Sequence, residues 1–237
     1  MMSELVQYHR DGTIGTIRLN RPEQNNEFNA EMLAALDAAM VAAEEDIDAK
    51  FIVIEAAGDH FSVGADAAEV AAARQAGPAQ RLTLETAAVR RFEYLTNFLR
   101  PTVAVVQGRC VGVGLTIAMS CDFVICSADA TLEEPAVKEG NLPSFALWPF
   151  FAWHKKAREL LFNGSITAPE AAEWGIISSS VPTAELEAEV GRYGEMLALA
   201  PADAMVWMKE MISATLESRG GGNMWQESAV YHALGTE

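Results

Sequence analysis

The chain is short of positive charge. Seventeen lysines and arginines face 33 aspartates and glutamates in 237 residues, a formal net charge of −16. With no basic run, nucleic acid and anionic membrane surfaces are excluded as expected partners, and an anionic ligand would have to be held locally, against the global field. Cysteine is scarce too. Cys110, Cys121 and Cys126 are odd in number and sit in apolar surroundings, so they read as reduced core thiols rather than disulfides or metal ligands. His9, His60, His154 and His232 are scattered without ligand spacing, and no metal site is expected. No apolar run approaches the ~18 residues needed to span a bilayer. The first residues lack a basic segment followed by an apolar one, so a signal peptide is not expected and a cytoplasmic location is. No Gly-x-Ser-x-Gly elbow supports a serine hydrolase. Gly112-Val-Gly114 has isoleucine at 117 where a dinucleotide fingerprint needs its third glycine, which leaves an oxidoreductase reading weak.

Half of the chain is hydrophobic, enough for one cored domain, alone or with a small appendage. Ile14 to Leu19 alternates as a strand does, and Asn20 to Asn26 is turn-rich. Asn29 is placed to cap a helix with Met32, Leu33, Leu36 and Met40 on one face. Phe51–Glu55, Thr102–Gln107 and Asp122–Cys126 read as short buried strands. Helices are expected after Asp66, from about Pro78 through Leu99 (stopped by Pro101), and over Leu115–Ser120. Thr167-Ala-Pro-Glu170 is a capping box, with Gly175 as the stop of its helix. Ile176–Val181 is strand-like, and helices follow from about Thr183 and Pro201. Strands alternating with helices point to an α/β fold.

Two glycine-bearing segments carry the functional signal: Phe61-Ser-Val-Gly-Ala-Asp66 and Val106-Gln-Gly-Arg-Cys-Val-Gly-Val-Gly-Leu115. Each follows an apolar run and should set a backbone N–H at the head of a helix, where unpaired amides favour negative charge. Two such amides converging on one carbonyl oxygen would form an oxyanion hole, which suggests chemistry on an acyl group.

These segments, with Leu19-Asn-Arg-Pro-Glu-Gln-Asn-Asn-Glu-Phe-Asn29, Ala118-Met-Ser-Cys-Asp122 and Ile166-Thr-Ala-Pro-Glu-Ala-Ala-Glu-Trp-Gly-Ile176, resemble in order and spacing the crotonase, or enoyl-CoA hydratase/isomerase, superfamily. The resemblance runs almost end to end. It implies an α/β spiral of strand-strand-helix units over residues 1–181, then a C-terminal helical trimerisation part over 182–237. The assembly it implies is a homotrimer or a homohexamer. The implied partner is an acyl-CoA thioester, with coenzyme A as part of the substrate and no separate cofactor. Carried over by position, the two oxyanion amides belong to Ala65 and Val113. The backbone near Glu27, Phe28, Val63 and Ala65 would hold the adenine and pantetheine. Position 113 is usually glycine in the family, and the valine Cβ should narrow the pocket or shift the helix start. The family's basic C-terminal helix would begin where this chain stops, at Thr236-Glu237, so the tail is either lacking or truncated.

The acid–base residues depart from the family. Its two hydratase glutamates fall on Thr116 and Ala136, and the acid after the Gly-x-x-Pro turn falls on Ser144. Neither a threonine hydroxyl nor an alanine can take a proton from water near neutral pH, so ordinary hydration is not expected. Glu134 or Glu139 would replace these groups if the local backbone shifts; otherwise both are solvated surface charges. Thr116 and Ser144 either orient a water or substrate carbonyl or simply satisfy a backbone group. Asp66 reads as a helix cap rather than a reactive group. The aromatic stretch 145–153 lines an acyl pocket, an interface or the core. Tyr231 and His232 lie where the family's last helices approach the site. Phosphate contacts fall to Arg74, Arg81, Arg90 and Arg91. Two readings remain: an acyl-CoA enzyme with a divergent catalytic set, or a catalytically silent protein of the same fold that binds acyl-CoA or a partner.

Overall fold

The computed structural model describes residues 3–140, 142–143, 145–152 and 154–234. Two strands, β1 (Val6–Asp11) and β2 (Ile14–Leu19), form an antiparallel hairpin around Gly12, whose φ of 57° serves the turn. The chain then alternates through α1 (Ala30–Glu45), β3 (Phe51–Ala56), α2 (Ala67–Gln75), α3 (Pro78–Thr96), β4 (Thr102–Val106), β5 (Arg109–Val111), α4 (Val113–Met119), β6 (Phe123–Ser127) and β7 (Thr131–Glu133). It continues through α5 (Trp148–Phe151), α6 (His154–Asn163), β8 (Ser165–Thr167), α7 (Ala168–Glu173), β9 (Ser179–Val181), α8 (Leu186–Ala198), α9 (Ala202–Ser218) and α10 (Gly221–Leu234).

Six strands form one sheet in the order β1-β2-β3-β4-β6-β9, parallel except for the opening hairpin. A second sheet runs β5-β7-β8. Its first pair is parallel and its second antiparallel. The unbroken apolar run of β3 is explained by burial on both faces. Ile52 and Ile54 enter the main core, while Phe51 and Val53 join a second cluster with Val103, Ile125, Tyr193, Leu197 and Met205 under α8 and α9.

The helix starts follow their caps. The Asn29 side chain accepts from Met32 N, and Asp66 accepts from Ala68 N and Glu69 N. Thr167 and Glu170 complete the reciprocal capping box. α3 ends at Thr96, three residues before the sequence-based expectation, with Asn97 at its C-cap. α4 begins at Val113 rather than Leu115, because β5 occupies the middle of the glycine segment. The three cysteines are free and buried. Burial pushes the Cys126 thiol up to about 12.

Part of the aromatic stretch is core, Phe151 is exposed, and Trp153 lies outside the described residues. Phe145 and Trp148 are buried, and Phe145 makes edge-on contacts with Trp148 at 5.3 Å and Trp225 at 5.9 Å. Trp225 belongs to α10, which lies along α3 and so returns the end of the described chain to the main core.

Candidate active site

Asn26 organises the first wall of the site. Fully buried at a left-handed φ of 54°, it accepts from Arg21 N through Oδ1. Its Nδ2 donates to the carbonyls of Ala57 at 2.8 Å and His60 at 2.9 Å. Asparagine tolerates that conformation better than most residues. The Asn26 carbonyl accepts from the Ser62 hydroxyl at 2.7 Å, and the same Ser62 Oγ accepts from Gly64 N at 3.1 Å. Sequence reasoning missed both residues as organisers; the signal available was the pair of small polar residues beside each turn.

From Ser62 the two glycine segments are joined edge to edge. Ser62 N donates to Arg109 O, and Val111 N donates to Ser62 O at 2.9 Å. A Cβ on Gly64 would stand 3.3 Å from the Val111 carbonyl oxygen, and one on Gly114 only 2.6 Å from Ser62 Cβ. Gly64 also holds φ +100°, so the contact and the turn both require glycine there.

Ala65 bridges Phe28 in parallel fashion. Phe28 N donates to Gly64 O and Asp66 N donates to Phe28 O, each at 2.8 Å. In such a bridge the opposed residue's own N–H points away from its partner, so the Ala65 amide faces the other side of the segment. The Phe28 main chain is thereby spent on supporting Ala65, and its N–H has no bond left for a ligand. The Glu27 carbonyl accepts from Arg21 Nη1 at 2.8 Å, and Val63 N donates to Asn25 O.

Val113 is the first residue of α4, behind Gly112 at φ +49°. A first-turn amide has no intrahelical acceptor. Among the described residues neither the Ala65 nor the Val113 amide has an acceptor within the chain. The valine side chain packs in part against the main core.

Thr116 is buried, and its hydroxyl donates to Gly112 O at 3.0 Å, alongside its own amide at 2.8 Å. The hydroxyl proton is thus engaged with the backbone. Ala136 starts a turn closed by bonds from Glu139 N to Pro135 O and Ala136 O. Glu139 is exposed. Glu134, expected in one reading as a solvated surface charge, is instead buried, only 2% exposed. Its amide donates to Gly164 O at 2.9 Å, and its Oε1 accepts from Ala136 N at 3.4 Å. Among the described residues it is the only buried carboxylate. The β5–β7 ladder pairs Val111 with Glu133, and Gly112 N donates to Glu133 O. The ladder ends there, so Glu134 is the residue that follows the carbonyl holding Gly112 N, the last amide before that of Val113. Ser144 lies outside the described residues.

Ala65 opens onto a cleft of about 800 Å³ that is also lined by Ala67, Val70, Ala71, Arg74, Gln75 and Glu139. No residue of α2 is buried, so its small side chains leave that wall open. Among the described residues no cluster of three or more His, Cys, Asp or Glu side chains is disposed to hold a metal ion. Among the same residues no helix is long and apolar enough to cross a membrane.

A family model described as enoyl-CoA hydratase/isomerase matches residues 9–237. A crystal structure of an enoyl-CoA hydratase/isomerase from Xanthobacter autotrophicus Py2 superposes with a TM-score of 0.90 at 31% identity, covering 100% of this chain and 88% of that one. An enoyl-CoA hydratase from Mycobacterium smegmatis superposes at 0.89 with 27% identity, covering 97% and 84%. A 4-chlorobenzoyl coenzyme A dehalogenase from an Arthrobacter species is 30% identical over 223 residues, 89% of this chain and 79% of its own.

Proposed function

This chain belongs to the enoyl-CoA hydratase/isomerase family, and from that premise we propose that it transforms an acyl-CoA thioester by stabilising an enolate-like or tetrahedral oxyanion. The named relatives act on an enoyl-CoA and on 4-chlorobenzoyl-CoA, two reactions that share the coenzyme A thioester as substrate. The observation that carries the reading is the pair of acceptor-free amides, Ala65 and Val113, held on two segments that touch through Gly64 and Val111. Each would donate to the thioester oxygen as charge develops there, and each such donor is worth about 10²-fold in rate. The main chain around Val63 and Ala65 would receive the pantetheine along the cleft.

Glu134 is the acid–base group in this reading. What supports this role is its burial and its position one residue after the Glu133 carbonyl that holds Gly112 N; from there it would move a proton to or from a carbon next to the thioester. With Thr116 and Ala136 in the two glutamate positions, proton transfer through Glu134 alone suits isomerisation better than ordinary hydration. The assembly in this reading is a trimer or a pair of trimers. It is supported by Trp207, Met208, Met211 and Ile212, which expose an apolar face on α9.

A second reading is favoured by Thr116, whose hydroxyl is committed to the backbone: the protein binds acyl-CoA without turnover. A panel of saturated and unsaturated acyl-CoA thioesters, followed by chromatography and calorimetry, separates the two. Turnover that falls about 10²-fold or more in Glu134→Gln, with binding retained, is expected. Turnover indifferent to Glu134→Gln would remove the residue from the mechanism. Binding without any turnover would establish the second reading, and absence of both would end the first.

A further inference from the structure

α4 carries the Val113 amide at one end and is held at the other by a charge. The segment Ala118-Met-Ser-Cys-Asp122 takes no part in the chemistry proposed above, yet it closes that far end. The Ser120 amide and hydroxyl both donate to Thr116 O, at 3.0 and 2.8 Å. Cys121 N donates to Ala118 O at 3.1 Å. Asp122 follows, and one of its oxygens collects three donors. Oδ2 accepts from Thr102 N at 2.8 Å, from the Thr102 hydroxyl at 2.9 Å and from Lys209 Nζ at 2.7 Å. Lys209 Nζ also donates to Arg100 O at 3.2 Å.

Lys209 is the only cation of α9, and its side chain is 11% exposed. Met205, one turn earlier on the same face, belongs to the second core cluster with Val103 of β4 and Ile125 of β6. A carboxylate and an ammonium so far from water hold each other. Without the cation, Asp122 would keep a charge that the two Thr102 bonds do not neutralise. The carboxylate would then relax toward water, and the backbone it moves is the end of α4. That helix spans about 10 Å. Gly114 to Met119 are all buried, and a close-packed interior transmits strain rather than absorbing it. Because Gly114 lies against Ser62, a tilt of α4 changes where the Val113 N–H points and how the two glycine segments meet.

We propose that Lys209 is a positioning residue for the oxyanion amides: it holds Asp122, Asp122 holds the end of α4, and α4 aims the Val113 N–H. The inference rests on the acyl-CoA reading and adds the group that fixes its second amide. Hydrogen bonds weaken steeply with angle, so a small tilt spoils a donor without opening the fold. A lysine that merely docked α9 would add stability and leave a bound thioester carbonyl untouched.

Infrared difference spectra would be taken of butanoyl-CoA, isotope-labelled at its carbonyl carbon, bound to the intact protein and to Lys209→Met, Lys209→Arg and Asp122→Asn. Hydrogen bonds from two amides should pull the carbonyl band below its position in the free thioester. Lys209→Met loosens one of the two donors and should cut that displacement by about half. Lys209→Arg keeps the charge and should restore part of it. Asp122→Asn removes the charge that Lys209 answers while keeping the side chain's shape. It should move the band the same way by less, and it carries the test if Lys209→Met does not fold. Calorimetry with coenzyme A, which lacks the acyl carbonyl, should give the same affinity for the intact protein and its variants. A band unmoved in Lys209→Met and Asp122→Asn, whatever the urea midpoint does, would overturn the proposal. Coenzyme A affinity lost in step with the band would assign Lys209 to the shape of the cleft and overturn it as well. If the intact protein leaves the carbonyl band undisplaced, or binds no thioester, the acyl-CoA reading falls first and this inference with it.

Discussion

Around Ala65 and Val113 the main chain is bonded almost residue by residue, to Asn25, Phe28, Arg109, Ser62 and Glu133 in turn. Over residues 135–140 the backbone turns onto itself. Glu139 N donates to Pro135 O and Ala136 O and Gly140 N to Val137 O, each closing a turn onto residues three or four back, while Glu134 N reaches Gly164 O. The difference separates two kinds of chemistry. A backbone amide can be aimed only by fixing the backbone, so every neighbour of that amide is over-determined. A carboxyl group needs only a position with room for a side chain, which more than one place along a chain can offer. Under the proposed function, such a site would hold its amide half fixed while its acid–base half is free to differ.

The sharpest way to break that contrast is to add one methyl group to each half. In Gly108→Ala the new Cβ would lie 2.1 Å from the Asp59 carbonyl oxygen and 2.5 Å from His60 Nδ1, at φ +57°. Clash and left-handed strain together should cost about 3 kcal/mol or more. Gly140, in the turn after Glu134, holds φ +78° with nothing within 4 Å of the added carbon. Gly140→Ala should cost only the conformational penalty, about 1 kcal/mol. Urea unfolding of both variants gives the comparison directly, and equal losses would mean that the two halves are equally constrained.

The amide-bearing half was also the half that the sequence made legible, for the same physical reason. Gly64, Gly112 and Gly114 announce turns and close approaches, and Asn29, Asp66 and Thr167 announce helix starts through their own hydrogen bonds. Elements whose evidence is long-range stayed hidden. β5, β7 and β8 are three residues each, too short for alternation to show, and they exist because they pair with one another. β1 escaped because only Val6 of its six residues is buried. α10 was masked by Gly220-Gly-Gly222, which reads as a breaker, although Trp225, Ala229 and Ala233 form its buried stripe. The burial of Glu134 ran against the strongest rule available, that carboxylates stay in water. No local pattern signals that exception, which follows from the β5–β7 pairing that ends one residue before it.

A smaller test removes one joint of the well-tied half without disturbing its volume. Ser62→Ala keeps the Cβ on which Gly114 packs, but leaves the buried Asn26 carbonyl and the Gly64 amide without their partner. The expected loss is about 2 kcal/mol, read as a lower urea midpoint at unchanged slope. Because Gly64 immediately precedes Ala65, acyl-CoA turnover should fall more than acyl-CoA binding. Binding and turnover reduced in equal proportion would argue that Ser62 shapes the cleft rather than the amide.

The smallest expected effect concerns how β5 is held to β7. The Glu133 carboxylate accepts from Arg109 Nε and Nη2, each at 2.8 Å, and from the Thr131 hydroxyl at 3.0 Å, while its carbonyl holds Gly112 N. The Arg109 hydrogen bonds hold the Glu133 carboxyl below its ordinary 4.5. A carboxyl depressed by folding adds stability above its ordinary value and loses it as pH falls through the folded one. Glu133→Gln should therefore lower stability near neutral pH, and the gap from the parent protein should close progressively below about 4.5. Arg109 is half exposed, so solvent screening keeps the neutral-pH gap below about 1 kcal/mol. Thermal unfolding from pH 3 to 7 would show it. No gap at any pH would mean that the carbonyl of residue 133, which the variant keeps, fastens Gly112 and the Val113 amide in place without help from the carboxylate, so that this half is fixed by main chain alone.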